Sequence, residues 1–411
     1  MPARHTANHL HGRGKHQGAI LLIMLVILVI GAAAVLVSTL TSSSIKNARL
    51  ATTAAALAQA KEALIGRAVS DNTMPGSLPC PDTNDDGSAE MFAGNDCPSY
   101  IGRLPWRTLQ IPELRDGNGE HLWYALSPAF RDDSSAEPLN SNTKGTLLVY
   151  GPDGTTLQTQ AGYSAVAVIF SAGSPVGSQS RGTAAEQNDP TNYLDSANSR
   201  DNSSAGGPFI AGTETAAFND QLLYITTKDL IPQVEKRVAG ELKKALGNYK
   251  TWHGYYPWAD QIGATASYDS NYGYSWGWLP SNAYVNYSTP DWSGSARPPQ
   301  WFFDNQWYSV IFYSVGRNYT AYPSDCVTGA NGVSNSGCIY NSLYLNGVSG
   351  VQALFIMPGT PIGTLTRSID TLSDYLDDPQ NNPQISALHT ADHFITPLSQ
   401  AVDRDRIYTL P

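Results

Sequence analysis

Apolar and polar positions follow three rhythms along the chain. From Ala19 to Leu40 there is no alternation: 22 consecutive uncharged residues, mostly Leu, Ile, Val and Ala. At about 1.5 Å per residue this makes roughly 33 Å of helix, enough to cross a bilayer core. It predicts a transmembrane helix over 19–40. From Ser42 to Val69 the rhythm turns helical, with no Pro and only Gly66. Leu50, Ala54, Leu57, Leu64 and Ala68 recur at three- or four-residue steps, apart from one seven-residue gap. One face of that helix can therefore pack on a globular body. The helix should stop at Asp71-Asn72, before Met74-Pro75-Gly76. Later segments are strand-like in their aromatic and β-branched content: Leu122–Leu126, Thr146–Tyr150, Tyr163–Phe170, Gln306–Val315 and Val351–Met357. A second helix is predicted from Thr227 to Tyr249. Asp132–Asn142 and Ser178–Gly207 are polar and turn-rich, and are expected to be exposed loops.

The pattern repeats at an offset near 180 residues. Lys61-Glu62-Ala63-Leu64 answers to Lys243-Lys244-Ala245-Leu246, and Leu78-Pro79-Cys80-Pro81-Asp82 to Tyr256-Pro257-Trp258-Ala259-Asp260. Gly102-Arg103-Leu104-Pro105 pairs with Gly277-Trp278-Leu279-Pro280, and Leu122-Trp123-Tyr124 with Gln306-Trp307-Tyr308. Gly173-Ser174-Pro175-Val176-Gly177 matches Gly359-Thr360-Pro361-Ile362-Gly363, and Tyr193-Leu194-Asp195 matches Tyr375-Leu376-Asp377. Each copy reads as a helix followed by antiparallel strands. The expected fold is α+β: a transmembrane helix running on as a helical spine, then two tandem modules over 41–226 and 227–411.

Charge sharpens this picture. No acid precedes Glu62, and the first 61 residues hold six basic groups, so the remaining chain carries all 35 acids against 19 bases. An acidic body argues against nucleic-acid binding, which needs a basic face. Arg4, Arg13 and Lys15 before the apolar run place the N-terminus in the cytoplasm by the positive-inside rule, and the body across the inner membrane in the periplasm. The run itself admits three readings: a cleaved signal peptide, a plain anchor, or a short leader before a retained helix.

The third reading rests on Lys15-His16-Gln17-Gly18 directly before the apolar run. This resembles the leader of the type IV prepilin-like family, which includes minor pilins and the pseudopilins of type II secretion systems. The resemblance implies a leader over 1–18, cleavage by a prepilin peptidase between Gly18 and Ala19, and other pilins or pseudopilins as partners. It implies a non-enzymatic filament subunit at a tip or priming position. Ile23 stands where most filament pilins have Glu, which sets the chain apart from a major repeating subunit.

Candidate chemistry is sparse. Cys80, Cys97, Cys326 and Cys338 allow three pairings, of which Cys80–Cys97 with Cys326–Cys338 keeps one bridge in each copy. Asp82, Asn84 and Asp86, followed by Gly87, alternate oxygens as the start of a calcium loop does. No cofactor is required, and calcium is the one ion the sequence suggests. Asp116 to Glu120 forms a second acidic turn, and His389 and His393 would share a helix face. No nucleophile elbow or phosphate loop is present. Seven of the nine Trp lie between Trp252 and Trp307. Packed inside they would build a core; exposed they would make an adhesive or glycan-binding surface, which is the alternative function.

Overall fold

The computed structural model describes residues 17–133, 137–160, 162–262, 274–281, 284–285, 289–290, 292–321, 342–383, 393–396 and 405–411. Of the side chains in 17–42 it describes those of Met24, Leu28 and Val29. Cys326, Cys338 and His389 lie outside the described residues.

Helix α1 (Gln17–Ser70) is rich in strong helix formers and has no internal Pro. It ends where Asp71 turns its carboxylate back on the chain: Oδ1 accepts from the amides of Thr73 and Met74 at 2.8 and 2.7 Å. Its buried positions are Thr53, Ala56, Leu57, Ala60, Leu64, Ile65 and Ala68, one helical stripe. That stripe lies on a sheet of four antiparallel strands, β1 (Ile101–Arg103), β2 (Leu122–Leu126), β3 (Ala165–Ser171) and β4 (Gln221–Thr226), side by side in chain order. Every residue of β2 and β3 is buried, because both sheet faces are covered. Leu122, Tyr124, Leu126, Ala167 and Ile169 face the helices. Trp123, Ala125, Val168 and Phe170 face a second, smaller core with Val149, Tyr193 and Phe209. The alternation is the period of two that a strand imposes.

Helix α2 (Thr227–His253) follows β4 directly. The Thr226 amide donates to Asp229 Oδ2 at 2.8 Å, which satisfies one orphan donor of its first turn. Gly254, at φ +80°, closes its C-terminus with an amide bond to the Lys250 carbonyl at 2.8 Å. A second four-stranded antiparallel sheet then forms from β5 (Trp276–Trp278), β6 (Phe312–Val315), β7 (Ala353–Met357) and β8 (Arg406–Leu410), again adjacent in chain order.

The two sheets share local contacts as well as order. Gly102 pairs with Tyr124, and Gly277 with Tyr313. Each tyrosine hydroxyl donates to a proline carbonyl, Tyr124 to Pro79 at 3.3 Å and Tyr313 to Pro257 at 3.1 Å. Asp82 and Arg103 exchange backbone hydrogen bonds, as Asp260 and Trp278 do. Gly102 and Gly277 are required there: an added Cβ would stand 2.4 Å from the Asp82 carbonyl oxygen and 1.9 Å from that of Asp260. By this register the partner of Tyr124 is Tyr313, not Tyr308. Trp307 and Tyr308 belong to a 3-10 turn, Trp307–Ser309, ahead of β6. The two halves are not separate bodies. One apolar core runs from Leu57 and Leu64 through Val238 and Leu246 to Phe312 and Phe355. Arg237 on α2 also donates to the carbonyls of Val69 and Asp71.

Two expectations are corrected. Among the described residues no helix is long and apolar enough to cross a membrane, so the transmembrane helix over 19–40 is not found. The part of α1 with every side chain described, 43–70, carries Lys46, Arg49, Lys61, Glu62 and Arg67. Its buried stripe faces protein. It is therefore a spine of the body rather than a bilayer span. The expected single-pass inner-membrane location, with a periplasmic body, falls with it. The fold is mixed α/β in place of an α+β body on a membrane helix. The second correction concerns the two loops expected to be exposed: Leu139, Asn140 and Ser141 in 132–142, and Tyr193, Leu194, Asp195 and Asn202 in 178–207, are buried.

Candidate functional site

The exposed part of α1 is the first feature that packing leaves over. Every residue from 43 to 52 is exposed, although the helix from Thr53 onward is held by the body. Further out Met24 is 69% exposed, Leu28 70% and Val29 57%. Where α1 enters the body it walls a cleft of about 390 Å³. Ile45, Lys46, Arg49 and Leu50 form the helix side, and Asn118, Gly173, Ser174, Glu214, Asn219 and Gln221 the opposite side. Lys46 pairs with Glu214 at 2.9 Å across the rim. Arg49 Nη1 reaches Asn118 Oδ1 at 3.4 Å. The loop at Gly117 can lie against α1 because it lacks a Cβ, which would stand 2.2 Å from the Arg49 carbonyl oxygen. Gly18 and Ala19 fall in the first turn of α1, with side chains outside those described.

The acidic turn is held by its own side chains. Buried Asp82 accepts at Oδ1 from the amides of Asn84 and Asp85 at 3.0 and 2.7 Å, and at Oδ2 from the Gly87 amide at 2.7 Å. Burial raises its carboxyl above the usual range, against those hydrogen bonds. Asn84 accepts from the Asp86 amide at 3.0 Å, and Asp86 from Ser88 at 2.7 Å, which lowers the Asp86 carboxyl. The three side chains therefore cap successive turns of their own backbone. Among the described residues no group of three or more His, Cys, Asp or Glu is placed to hold a metal ion. No step is assigned to a cation at Asp82, Asn84 and Asp86.

Around the turn lies a cluster that no sequence motif announced. His121 sits between two carboxylates, Nδ1 at 2.6 Å from Asp85 Oδ1 and Nε2 at 2.6 Å from Glu113 Oε1. The His121 hydrogen bond lowers the Glu113 carboxyl. Arg103, almost wholly buried, pairs with Asp85 at 3.2 Å and stacks on Trp123 and Tyr193, 4.9 and 5.3 Å from their ring centres. The cluster ties the acidic turn to the sheet.

No protein-family model, curated protein or solved structure matches this chain. Its site must be read from its own geometry. Cys80 and Cys97 form a disulfide with Cα atoms 5.5 Å apart, and it pins the acidic turn. His393 belongs to a short strand and stacks on Tyr344, ring centres 4.3 Å apart. Six Trp of the aromatic stretch are buried: Trp258, Trp276, Trp278, Trp292, Trp301 and Trp307. Trp252 is 53% exposed, and it covers Gly294, where an added Cβ would stand 2.6 Å from the ring. The aromatic stretch is thus mainly core.

The remaining buried charges hold loops. In the first half Asn202 donates to Asp220 Oδ2 at 2.9 Å and exchanges bonds with Ile210, while the Asp195 amide donates to Asp220 at 2.7 Å. In the second half Asn381 does the same with Asp405 and Ile395, and Asp377 donates its amide to Asp405 at 3.2 Å. Tyr-Leu-Asp at 193–195 and 375–377 was the sequence trace of this clasp; Asn202 and Asn381 had none.

Proposed function

We propose that the chain is a non-enzymatic assembly subunit of the minor-pilin or pseudopilin type, joined to neighbouring subunits through α1. The observation that carries this reading is the helix itself: 54 residues long, buried against the body from Thr53 onward, with Met24, Leu28 and Val29 exposed farther out. Large apolar side chains on an uncovered helix face are satisfied by another helix, through ridges packed into grooves. The body supports the reading by what its polar groups do. The buried carboxylates Asp82, Asp195, Asp220 and Glu235 are spent on backbone amides and side chains that hold loops.

The test is a photoreactive p-benzoylphenylalanine at Leu28 in the full chain, irradiated in an equal mixture of ordinary and 15N-labelled protein. Adducts joining α1 of one copy to α1 of another are expected. Adducts absent, or confined to the body of the same chain, would overturn the reading.

A further inference from the structure

The two halves present the same face in different states. With Lys61–Leu64 laid on Lys243–Leu246, the buried positions Thr53, Ala56, Leu57, Ala60 and Leu64 of α1 fall on Glu235, Val238, Ala239, Leu242 and Leu246 of α2, all buried. Gly173 and Ser174 correspond to Gly359 and Thr360 after the third strand of each sheet, and Gln221 to Arg406 at the start of the fourth. In the second half the space between these elements is filled by the first half. Leu139 donates its amide to Asn305 Oδ1 at 3.0 Å, Asn140 Nδ2 donates to the Asn305 carbonyl at 2.9 Å, and Ser141 Oγ donates to Glu235 Oε1 at 2.6 Å. Lys228 is engaged by Gln160 at 3.3 Å and by the ring of Tyr163 at 4.6 Å. Under this cover Thr227, Leu230, Ile231 and Val234 are buried.

The matching place in the first half is the cleft walled by Ile45, Lys46, Arg49 and Leu50. By the same correspondence Ile45 stands for buried Thr227 and Arg49 for buried Ile231, yet both are exposed; Lys46 and its counterpart Lys228 are exposed alike. The helix, the glycine turn and the start of the fourth strand are in place, and among the described residues only the Lys46–Glu214 and Arg49–Asn118 contacts reach across them.

We infer that this cleft receives the second half of another copy of the chain, so that copies join head to tail as the two halves join within one. The charges suit that occupant. Arg49 lines the cleft beside the Lys46–Glu214 pair, while beyond Lys250 the chain has twelve Asp and five Arg, with no Lys and no Glu. Arg49 touches Asn118 only at the 3.4 Å limit, which leaves guanidinium donors for an incoming carboxylate. A contact between two different faces is not used up in a two-fold dimer, and it extends into a ring or an open row. The inference deepens the assembly reading and rests on it, but it uses a surface distinct from residues 17–42.

The test uses the full chain, in the same isotope mixture, with the photoreactive residue at Leu50 instead of Leu28. Adducts from Leu50 to residues 251–411 of the other copy are expected. Arg49→Glu should cut their yield about tenfold while leaving the melting temperature and the Leu28 adducts unchanged, since Arg49 is exposed. Leu50 adducts confined to the same chain, or to the first half of the other copy, would overturn the inference, as would an Arg49→Glu protein that links equally well. Loss of the Leu28 adducts alone would overturn the helix reading and leave this one standing.

Discussion

At the scale of single residues, the carboxyl of Asp220 is the most strained by its surroundings. It is buried, Oδ2 is occupied by the Asp195 amide and by Asn202, and Oδ1 has no hydrogen-bond partner. Burial, and then the neighbouring Asp195 charge, push its carboxyl well above the usual range. The sign follows from linkage. An acid whose folded pKa is raised loses stability as pH climbs from the unfolded value, about 4, through the folded one, because the fold holds a proton that the unfolded chain has released. Asp220→Asn keeps the acceptor and places an amide donor where Oδ1 stood. It should stabilise the protein at pH 8 by about 1–3 kcal/mol, because a neutral amide replaces a buried carboxylate that burial and the Asp195 charge disfavour. Urea unfolding at pH 5 and pH 8 checks this: the gain should be larger at pH 8, and an equal or opposite effect would reject the account.

At the scale of elements, how far the sequence could be read depended on whether a pattern was periodic or merely apolar. The helical stripe from Thr53 to Ala68 and the second helix from Thr227 were readable, because propensity and a period near 3.6 residues agree there; the structure carries the second helix on to His253. The strand predicted over 306–315 shrank to 312–315, since Gln306 sits at φ +52° and a 3-10 turn takes 307–309. Aromatic content alone could not separate that turn from a strand, and so Trp307-Tyr308 was set against Trp123-Tyr124 one turn too early. The burial of Leu139–Ser141 was illegible for another reason: a polar loop gives no local sign that a distant Glu235 and Asn305 await it. The Cys80–Cys97 link belongs to this scale, joining residues 17 apart around the acidic turn. In the chain-entropy model a loop of this size contributes about 3 kcal/mol. Cys80→Ser with Cys97→Ser should therefore lower the unfolding free energy by about that amount in guanidinium, with the fold retained by circular dichroism. A loss below about 0.5 kcal/mol would show that the turn is held by Asp82 and His121 without the bridge.

At the scale of the whole molecule, two similar sheets need not mean two independent units. The apolar core passes unbroken from α1 through α2 to the second sheet, and Glu235 is one of the polar groups that join the halves. Its carboxylate, fully buried, accepts from Ser141 of the first half at 2.6 Å, and from Gly359 at 2.9 Å and Arg406 at 2.8 Å in the second. Burial raises the Glu235 carboxyl, while Ser141 and the charges of Arg406 and Arg367 pull it down. The net shift is upward, so this group contributes less stability as pH rises through its folded pKa. Removing it is a different matter, because Glu235→Ala strands Arg406, the Ser141 hydroxyl and the Gly359 amide. Breaking one side of a buried pair costs on the order of 3–5 kcal/mol, so the variant should unfold at clearly lower denaturant. Glu235→Gln, which keeps an acceptor, should fall between it and the parent. If the core is truly shared, all three proteins should unfold in one transition, with near- and far-ultraviolet signals moving together. Two separated transitions in Glu235→Ala would mean that each half has its own core and that the clasp alone had fused them. A single shifted transition would mean that one half can be lost only with the other. In that case the contact within the chain is strong enough to serve as the pattern for a contact between chains.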